Sequence, residues 1–125
     1  MYTPAESPVP LDVFYSVPLS RALIVGVVIG LPYLLGYSSD ASLAHAPFLL
    51  NLREKYALRG IMQTVFRGLV AIHTLEAGAA FVTVVRRKWY SPLNIIKWTI
   101  STFVFGVESW ALLRKHGRQV RGINK

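Results

Sequence analysis

The feature that most constrains this chain is an apolar segment, residues 69–85, that contains one histidine and one glutamate. It reads LVAIHTLEAGAAFVTVV and is followed directly by a basic cluster at residues 86–88. An apolar run of about 17 residues bounded by cations is near the lower limit for crossing a bilayer. His73 and Glu76 lie three residues apart, which places them on one face of a helix. Because ionisable groups inside a membrane are costly, this pair is the first candidate for a functional site.

The composition favours an integral membrane protein. Apolar residues make up 53% of the 125 residues and charged residues only 16%, whereas soluble domains contain about 25% charged residues. The formal net charge is +8, and the cations bracket apolar segments instead of forming a separate basic face. This distribution favours contact with anionic lipid and argues against a nucleic-acid partner. The chain has no cysteine, which excludes disulfides and thiolate chemistry.

The hydropathy pattern predicts an all-α integral membrane protein, a single membrane domain with three transmembrane helices. The predicted spans are residues 19–37, 61–85 and 93–113. The predicted connecting and terminal segments are an extended, proline-rich arm (1–18), a polar loop with an interfacial helix (38–60) and a basic tail (114–125). Because a short turn joins the last two spans, we expect them to form an antiparallel hairpin.

Three spans would place the loop at residues 38–60 and the C-terminal tail on the same side of the membrane. That side would carry more cations than the other, which favours a tail facing the mitochondrial matrix or the cytoplasm. Arginines and lysines that flank the last two spans are the predicted contacts for lipid headgroups: Arg86, Arg87, Lys88, Arg114 and Lys115. On the first span, Gly26 and Gly30 are four residues apart, a spacing that allows another helix to approach closely.

Folding the last two spans against each other predicts a polar seam inside the membrane. Its members are His73, Glu76, Arg67, Lys97 and Glu108, with Arg67 and Glu108 as an interhelical ion pair. The pattern favours a structural role for the seam, in which these groups pair and fix the helix register. Proton relay or binding of a polar ligand by His73 and Glu76 is the alternative.

The sequence offers little support for cofactor chemistry or catalysis. A di-iron bundle needs more carboxylates and a second histidine pair, and His45 and His116 lie outside the predicted spans. We therefore expect no metal and no cofactor. The chain also has no phosphate-binding glycine loop, no nucleophile elbow and no HExxH motif, so we expect a protein that is not an enzyme.

Several short motifs occur together in the C-terminal half of the chain. They are Ile72-His73-x-x-Glu76, the basic turn at residues 86–88, Trp98, Thr102-Phe103-x-Phe105-Gly106 and a basic tail. In this combination the chain resembles the transmembrane protein 254 family of small eukaryotic membrane proteins. The resemblance implies a helical membrane protein and draws attention to His73 and Glu76, but it implies no reaction.

The expected function is that of a non-catalytic accessory subunit of a large complex in the mitochondrial inner membrane. A respiratory complex or the ATP synthase would supply the partner subunits, and cardiolipin would suit the cations. The alternative is a small membrane protein of the endoplasmic reticulum. In that alternative His73 and Glu76 would bind lipid or sterol, handle protons or catalyse a reaction.

Overall fold

The computed structural model describes residues 9–122, and within that range the chain forms helices and no strands. The helices are α1 (Leu19–Tyr37), α2 (Asp40–Leu43), α3 (Pro47–Lys55), α4 (Leu58–Arg87), α5 (Pro92–Phe105) and α6 (Val107–Val120). The prediction of an all-α fold is confirmed for these residues. Residues 1–8 of the predicted arm and 123–125 of the predicted tail lie outside the described residues.

Two helices, α1 and α4, are long and apolar enough to cross a membrane. They contain 19 and 30 residues, and in each the most apolar window is only 17% buried. The core helix of a soluble protein would bury most of that window, so the exposed apolar surface favours lipid as the surroundings of both helices. α4 begins at Leu58, earlier than the predicted start at residue 61.

The chain divides into two compact units. Residues 20–71 form the first, which we call the α1 unit. Residues 9–19 and 72–122 form the second, which we call the hairpin unit.

In the α1 unit, a close approach of α1 to α4 is built on Gly36, which the sequence pattern did not indicate. A Cβ atom at Gly36 would lie 2.9 Å from the backbone nitrogen of Gln63, so only a glycine fits at this distance. Gln63 in turn donates a hydrogen bond of 2.8 Å from Nε2 to the Gly36 carbonyl. Gly26 and Gly30 were predicted to pack closely. Within residues 9–122, apart from the adjoining backbone of α1, no atom lies within 4 Å of a Cβ added at either position.

The connection between α1 and α4 contains a buried arginine. Arg53 of α3 is 3% exposed, and it donates hydrogen bonds to the Ser38 carbonyl at 2.6 Å and to the carboxylate of Asp40. Ser39 caps α2 by accepting from the Ser42 backbone N–H. The predicted interfacial helix corresponds to α3, and these bonds fix it to the end of α1.

The third predicted span, residues 93–113, is not one continuous helix. α5 ends at Phe105 and α6 begins at Val107, because Gly106 adopts φ 57° and ψ −127°. Residues with a side chain rarely adopt this backbone conformation. Each of the two helices has 14 residues and is therefore about 21 Å long, which is short of the roughly 30 Å hydrocarbon core.

α5 and α6 form an antiparallel pair. Ser109 Oγ lies 2.8 Å from Ser101 Oγ, eight residues earlier, a separation that a straight helix would stretch to about 12 Å. Further along the pair, His116 Nδ1 lies 2.6 Å from the hydroxyl of Tyr90, which precedes α5. The chain therefore enters along α5, reverses at Gly106 and returns along α6.

This reversal corrects two expectations. The end of α6 lies beside the turn that follows α4, so the basic tail is at the same end of α4 as residues 86–88, whereas a third span would have carried it to the other side. Glu108 also lies in α6 and Lys97 in α5, whereas the predicted third span would have carried both on one helix. The predicted antiparallel turn holds for α4 with α5, because His73 of α4 meets the Phe103 carbonyl of α5. α5 with α6 forms a second antiparallel pair, and both of these helices are shorter than a span.

The hairpin is testable by cysteine labelling, because the natural chain has no cysteine. We expect Lys88→Cys and Arg118→Cys to react with a membrane-impermeant maleimide from the same side of sealed vesicles. A permeant maleimide serves as the control for total reactive thiol. Labelling of the two positions from opposite sides would support a continuous third span and would contradict the hairpin.

Candidate functional site

The two ionisable residues singled out in α4 meet the hinge between α5 and α6. His73 Nδ1 lies 2.7 Å from the carbonyl oxygen of Phe103. A carbonyl only accepts, so Nδ1 carries the proton and donates. Phe103 is in the last turn of α5, where backbone carbonyls have no partner within the helix. His73 therefore caps the C-terminus of α5, which explains a histidine on the face of an apolar helix.

Glu76 reaches the same hinge from one turn further along α4. A Cβ at Gly106 would lie 2.7 Å from His73 Nε2 and 2.8 Å from Glu76 Oε2, so the Gly106 Cα packs directly on both atoms. Within the described part of the chain, Glu76 Oε2 is buried and has no hydrogen-bond partner. His73 Nε2 and Glu76 Oε2 thus both face Gly106 at the hinge.

The hinge lies at an intermediate depth along α4. Glu76 is 11 residues before Arg87, the last residue of α4, which corresponds to about 16 Å along the helix axis. With Arg87 at the membrane surface, this distance is about half the thickness of the hydrocarbon core. An interruption of the backbone at that depth requires protein partners for its polar groups, and His73 supplies one.

The other residues of the predicted seam lie elsewhere. Arg67 donates from Nε to the Tyr37 hydroxyl at 3.2 Å in the α1 unit. Lys97 lines a groove beside the N-terminal arm, and Glu108 is in the first turn of α6. Of the five, the structure brings together His73 and Glu76. The ion pair between Arg67 and Glu108 stays a prediction.

A second polar cluster ties the N-terminal arm to the hairpin unit. Asp12 accepts hydrogen bonds of 2.8 Å from the Ser91 backbone N–H and from Asn94 Nδ2. These bonds hold the pKa of Asp12 below its ordinary value. Trp98, which is fully buried, donates from Nε1 to the Val13 carbonyl at 2.9 Å. Residues 12 and 13 are therefore fixed by side chains at the start of α5.

His116 is the centre of this cluster. Its Nε2 lies 2.8 Å from the Pro10 carbonyl, so Nε2 is the protonated nitrogen and Nδ1 accepts from the Tyr90 hydroxyl. Arg87 Nη1 donates to that hydroxyl and to the Leu113 carbonyl, both at 3.0 Å. Burial lowers the pKa of His116 and the Arg87 charge lowers it further, against the opposing effect of the bond to Pro10.

The cations predicted to contact lipid headgroups gather at the end of α4 because α6 returns there. A cavity of about 370 Å³ at this end is lined by Thr83, Arg86, Arg87, Trp89 and Arg121. Arg87 also packs against Gly117, where a Cβ would collide with the guanidinium. Arg114 and Lys115 are exposed on α6. Among the residues that the structure describes, no group of three or more His, Asp or Glu is placed to hold a metal ion.

Sequence reasoning missed Gly106, Tyr90 and His116 as structural residues. A signal for the first was present, since Gly106 interrupts an apolar run about 14 residues after the Ser91-Pro92 helix start. His116 stands in a basic tail that was interpreted as solvated. Its burial depends on Pro10 and Tyr90, which are distant in sequence, so no local pattern indicates it.

These features define a small, all-helical integral membrane protein with two candidate membrane-spanning helices and a helical hairpin closed by a histidine cap. A family model for transmembrane protein 254 matches residues 22–115. The chain belongs to this family, and the match extends from the C-terminal half, where the resemblance was first seen, through α1. No curated protein sequence and no solved structure gives a significant match.

The arm should respond to pH through His116. Its pKa is lowered in the folded protein, so neutral His116 stabilises the arm fully above its ordinary value of 6.5, and that contribution is lost as the pH falls below it. We expect hydrogen exchange of the Trp98 indole N–H, which donates to the Val13 carbonyl of the arm, to increase several-fold relative to the backbone amide of Ala80 in α4 between pH 7.5 and pH 5.

The matched variant for this experiment is His116→Gln, whose amide donates and accepts but does not titrate in this range. It should remove the pH dependence and keep the arm protected. Asp12 stays ionised throughout because its pKa is lowered. An arm that opens equally in the variant would show that another group is responsible.

Proposed function

We propose that this protein is a non-catalytic accessory subunit that packs α1 against a helix of a larger membrane complex. The observation that carries the proposal is the open glycine face of α1. Gly26 and Gly30 have no atom within 4 Å of an added Cβ, and four-residue glycine spacing is suited to close contact between helices in a membrane. The chain uses Gly36 for its own close approach, which leaves the other two glycines for a partner.

The mitochondrial inner membrane is the proposed location, with a respiratory complex or the ATP synthase as the assembly. The support is the gathering of cations at one end of α4, where three arginines line a single cavity. Cardiolipin carries two phosphates, and each cation near an anionic surface contributes about 1 kcal/mol. In this proposal the basic end contacts cardiolipin, faces the matrix, and holds the subunit at its interface with the partner subunits.

The experiment is the native size of the protein after extraction in mild detergent, with mass spectrometry of the proteins that migrate with it. We expect a stoichiometric assembly of far higher mass than this chain. The double variant Gly26→Leu, Gly30→Leu should reduce association by at least about tenfold, equivalent to about 1.4 kcal/mol, because the added side chains keep the partner helix away.

Val28→Leu is the matched control for this variant. Val28 is exposed and lies about 200° from both glycines around the helix, so enlarging it should leave the assembly intact. Migration of the wild-type protein alone, or equal loss in the control, would contradict the accessory-subunit proposal.

One observation favours the alternative of a ligand-binding protein in the endoplasmic reticulum. Glu76 Oε2 is buried and has no donor among the described residues, and a lipid or sterol hydroxyl would supply one to Glu76 and His73. In this alternative, proton transfer or catalysis would also take place at Glu76 and His73. A buried acceptor that gains a donor is stabilised by roughly 1–3 kcal/mol.

This alternative predicts that a sterol raises the melting temperature of the wild-type protein in detergent and has a much smaller effect on Glu76→Gln. The amide nitrogen of the variant would occupy the place of the donor. Glu54→Gln, on the exposed surface of α3, is the control for loss of a charge. An unchanged melting temperature with sterol in all three proteins would leave His73 and Glu76 with the structural role alone.

A further inference from the structure

A groove in the hairpin unit separates the N-terminal arm from α5. Its volume is about 370 Å³. Phe14 and Val17 of the arm form one wall, and Ile100, Val104 and Phe105 of α5 contribute to the other. Among the residues that the structure describes, Lys97 is the one charged residue that lines the groove. This lining is therefore largely apolar, with a single cation.

The order of residues along α5 gives the groove a direction. Lys97 lies about 8 Å along the axis from Pro92, the first residue of α5, whereas Phe105 lies about 20 Å from it. Pro92 adjoins the basic turn at residues 86–88, and Phe105 adjoins the hinge. The cation is thus near the surface end and the apolar residues continue inward, which is the polarity of a lipid in a bilayer. A lysine in this position extends its ammonium group towards the headgroups.

The arm residues that line the groove are held in place by contacts with α5. Val17 is 8% exposed, and Phe14 packs edge-on against Trp98 with ring centroids 5.0 Å apart. The adjacent Val13 carbonyl accepts the Trp98 indole hydrogen bond. The groove therefore keeps its width through contacts that do not depend on an occupant.

From this geometry we infer that the groove binds one acyl chain of an anionic phospholipid, with Lys97 pairing with the headgroup phosphate. The lipid lies parallel to α5, its phosphate at Lys97 and its chain between Phe14 and Ile100. This site is separate from the cavity lined by arginines at the end of α4, and it does not require the protein to be a subunit of any complex.

The test uses vesicles that contain phosphatidylglycerol with a photoreactive diazirine on one acyl chain. After irradiation, mass spectrometry locates the labelled peptides of the full-length protein. We expect label concentrated on residues 96–105 and on the arm near Phe14. Lys97→Gln should reduce this labelling about fivefold, the factor that corresponds to about 1 kcal/mol per cation near an anionic headgroup, and Lys97→Arg should preserve it.

Two further variants distinguish lipid binding in the groove from general contact of the protein with lipid. Lys55→Gln removes the same charge from the exposed surface of α3 and should leave labelling of the groove unchanged. Ile100→Trp should fill the groove and remove the label, while the maleimide reactivity of Arg118→Cys in the same background reports that the hairpin is intact.

Labelling that is equal with a phosphatidylcholine probe and insensitive to Lys97→Gln would overturn the proposal. Label spread evenly over the exposed residues of α5, such as Leu93 and Phe103, would do the same. If a diazirine-bearing fatty acid labels the groove while the phospholipid probe does not, the occupant is a free fatty acid and the phospholipid assignment is wrong.

Discussion

The reversal of the backbone at Gly106 is the constraint on which the hairpin unit depends. A chain that turns back within the apolar depth of a membrane protein leaves carbonyl groups without helical partners, and water is not there to bind them. His73 donates to one of these carbonyls from the neighbouring helix. Gly106 allows the approach because a Cβ would collide with His73 and with Glu76. The reversal at Gly106, the hydrogen bond from His73 to the end of α5 and the close packing of Gly106 on α4 therefore depend on one another.

The basic end of the hairpin unit is held by a second set of polar contacts, which converge on His116. Arg87, Tyr90 and His116 form a continuous hydrogen-bonded chain that ends at the Pro10 carbonyl. Each member has a fixed donor or acceptor role, so the chain specifies one arrangement of α4, α6 and the arm. The result is a small apolar core around Trp98 and Leu113, closed by polar groups at the hinge and at the basic end.

Much of the fold could be predicted from the sequence because it is recorded in local patterns. The first span coincides with α1, and Ser91-Pro92 starts α5 as a capping residue followed by a proline should. The placement of His73 and Glu76 on one face of α4 follows from helical spacing alone. The third span could not be resolved in this way, since α5 and α6 together have the length and hydropathy of one transmembrane helix. Glu108 was therefore expected on the same helix as Lys97, whereas it lies in the first turn of α6. The groove beside the arm depends on contacts with residues distant in sequence, which no local pattern indicates.

The sequence by itself determined that this chain is helical, apolar and basic, and that a histidine and a glutamate share a face of its longest helix. Periodicity and composition are local properties, and they decide which helices form. The tertiary structure decided how those helices are arranged. α5 and α6 fold back on each other, His73 donates a hydrogen bond to a backbone carbonyl, and His116 is buried. The last two outcomes depend on contacts between residues 26 to 106 positions apart. Local sequence does not encode which distant partner will satisfy a polar group when the chain folds.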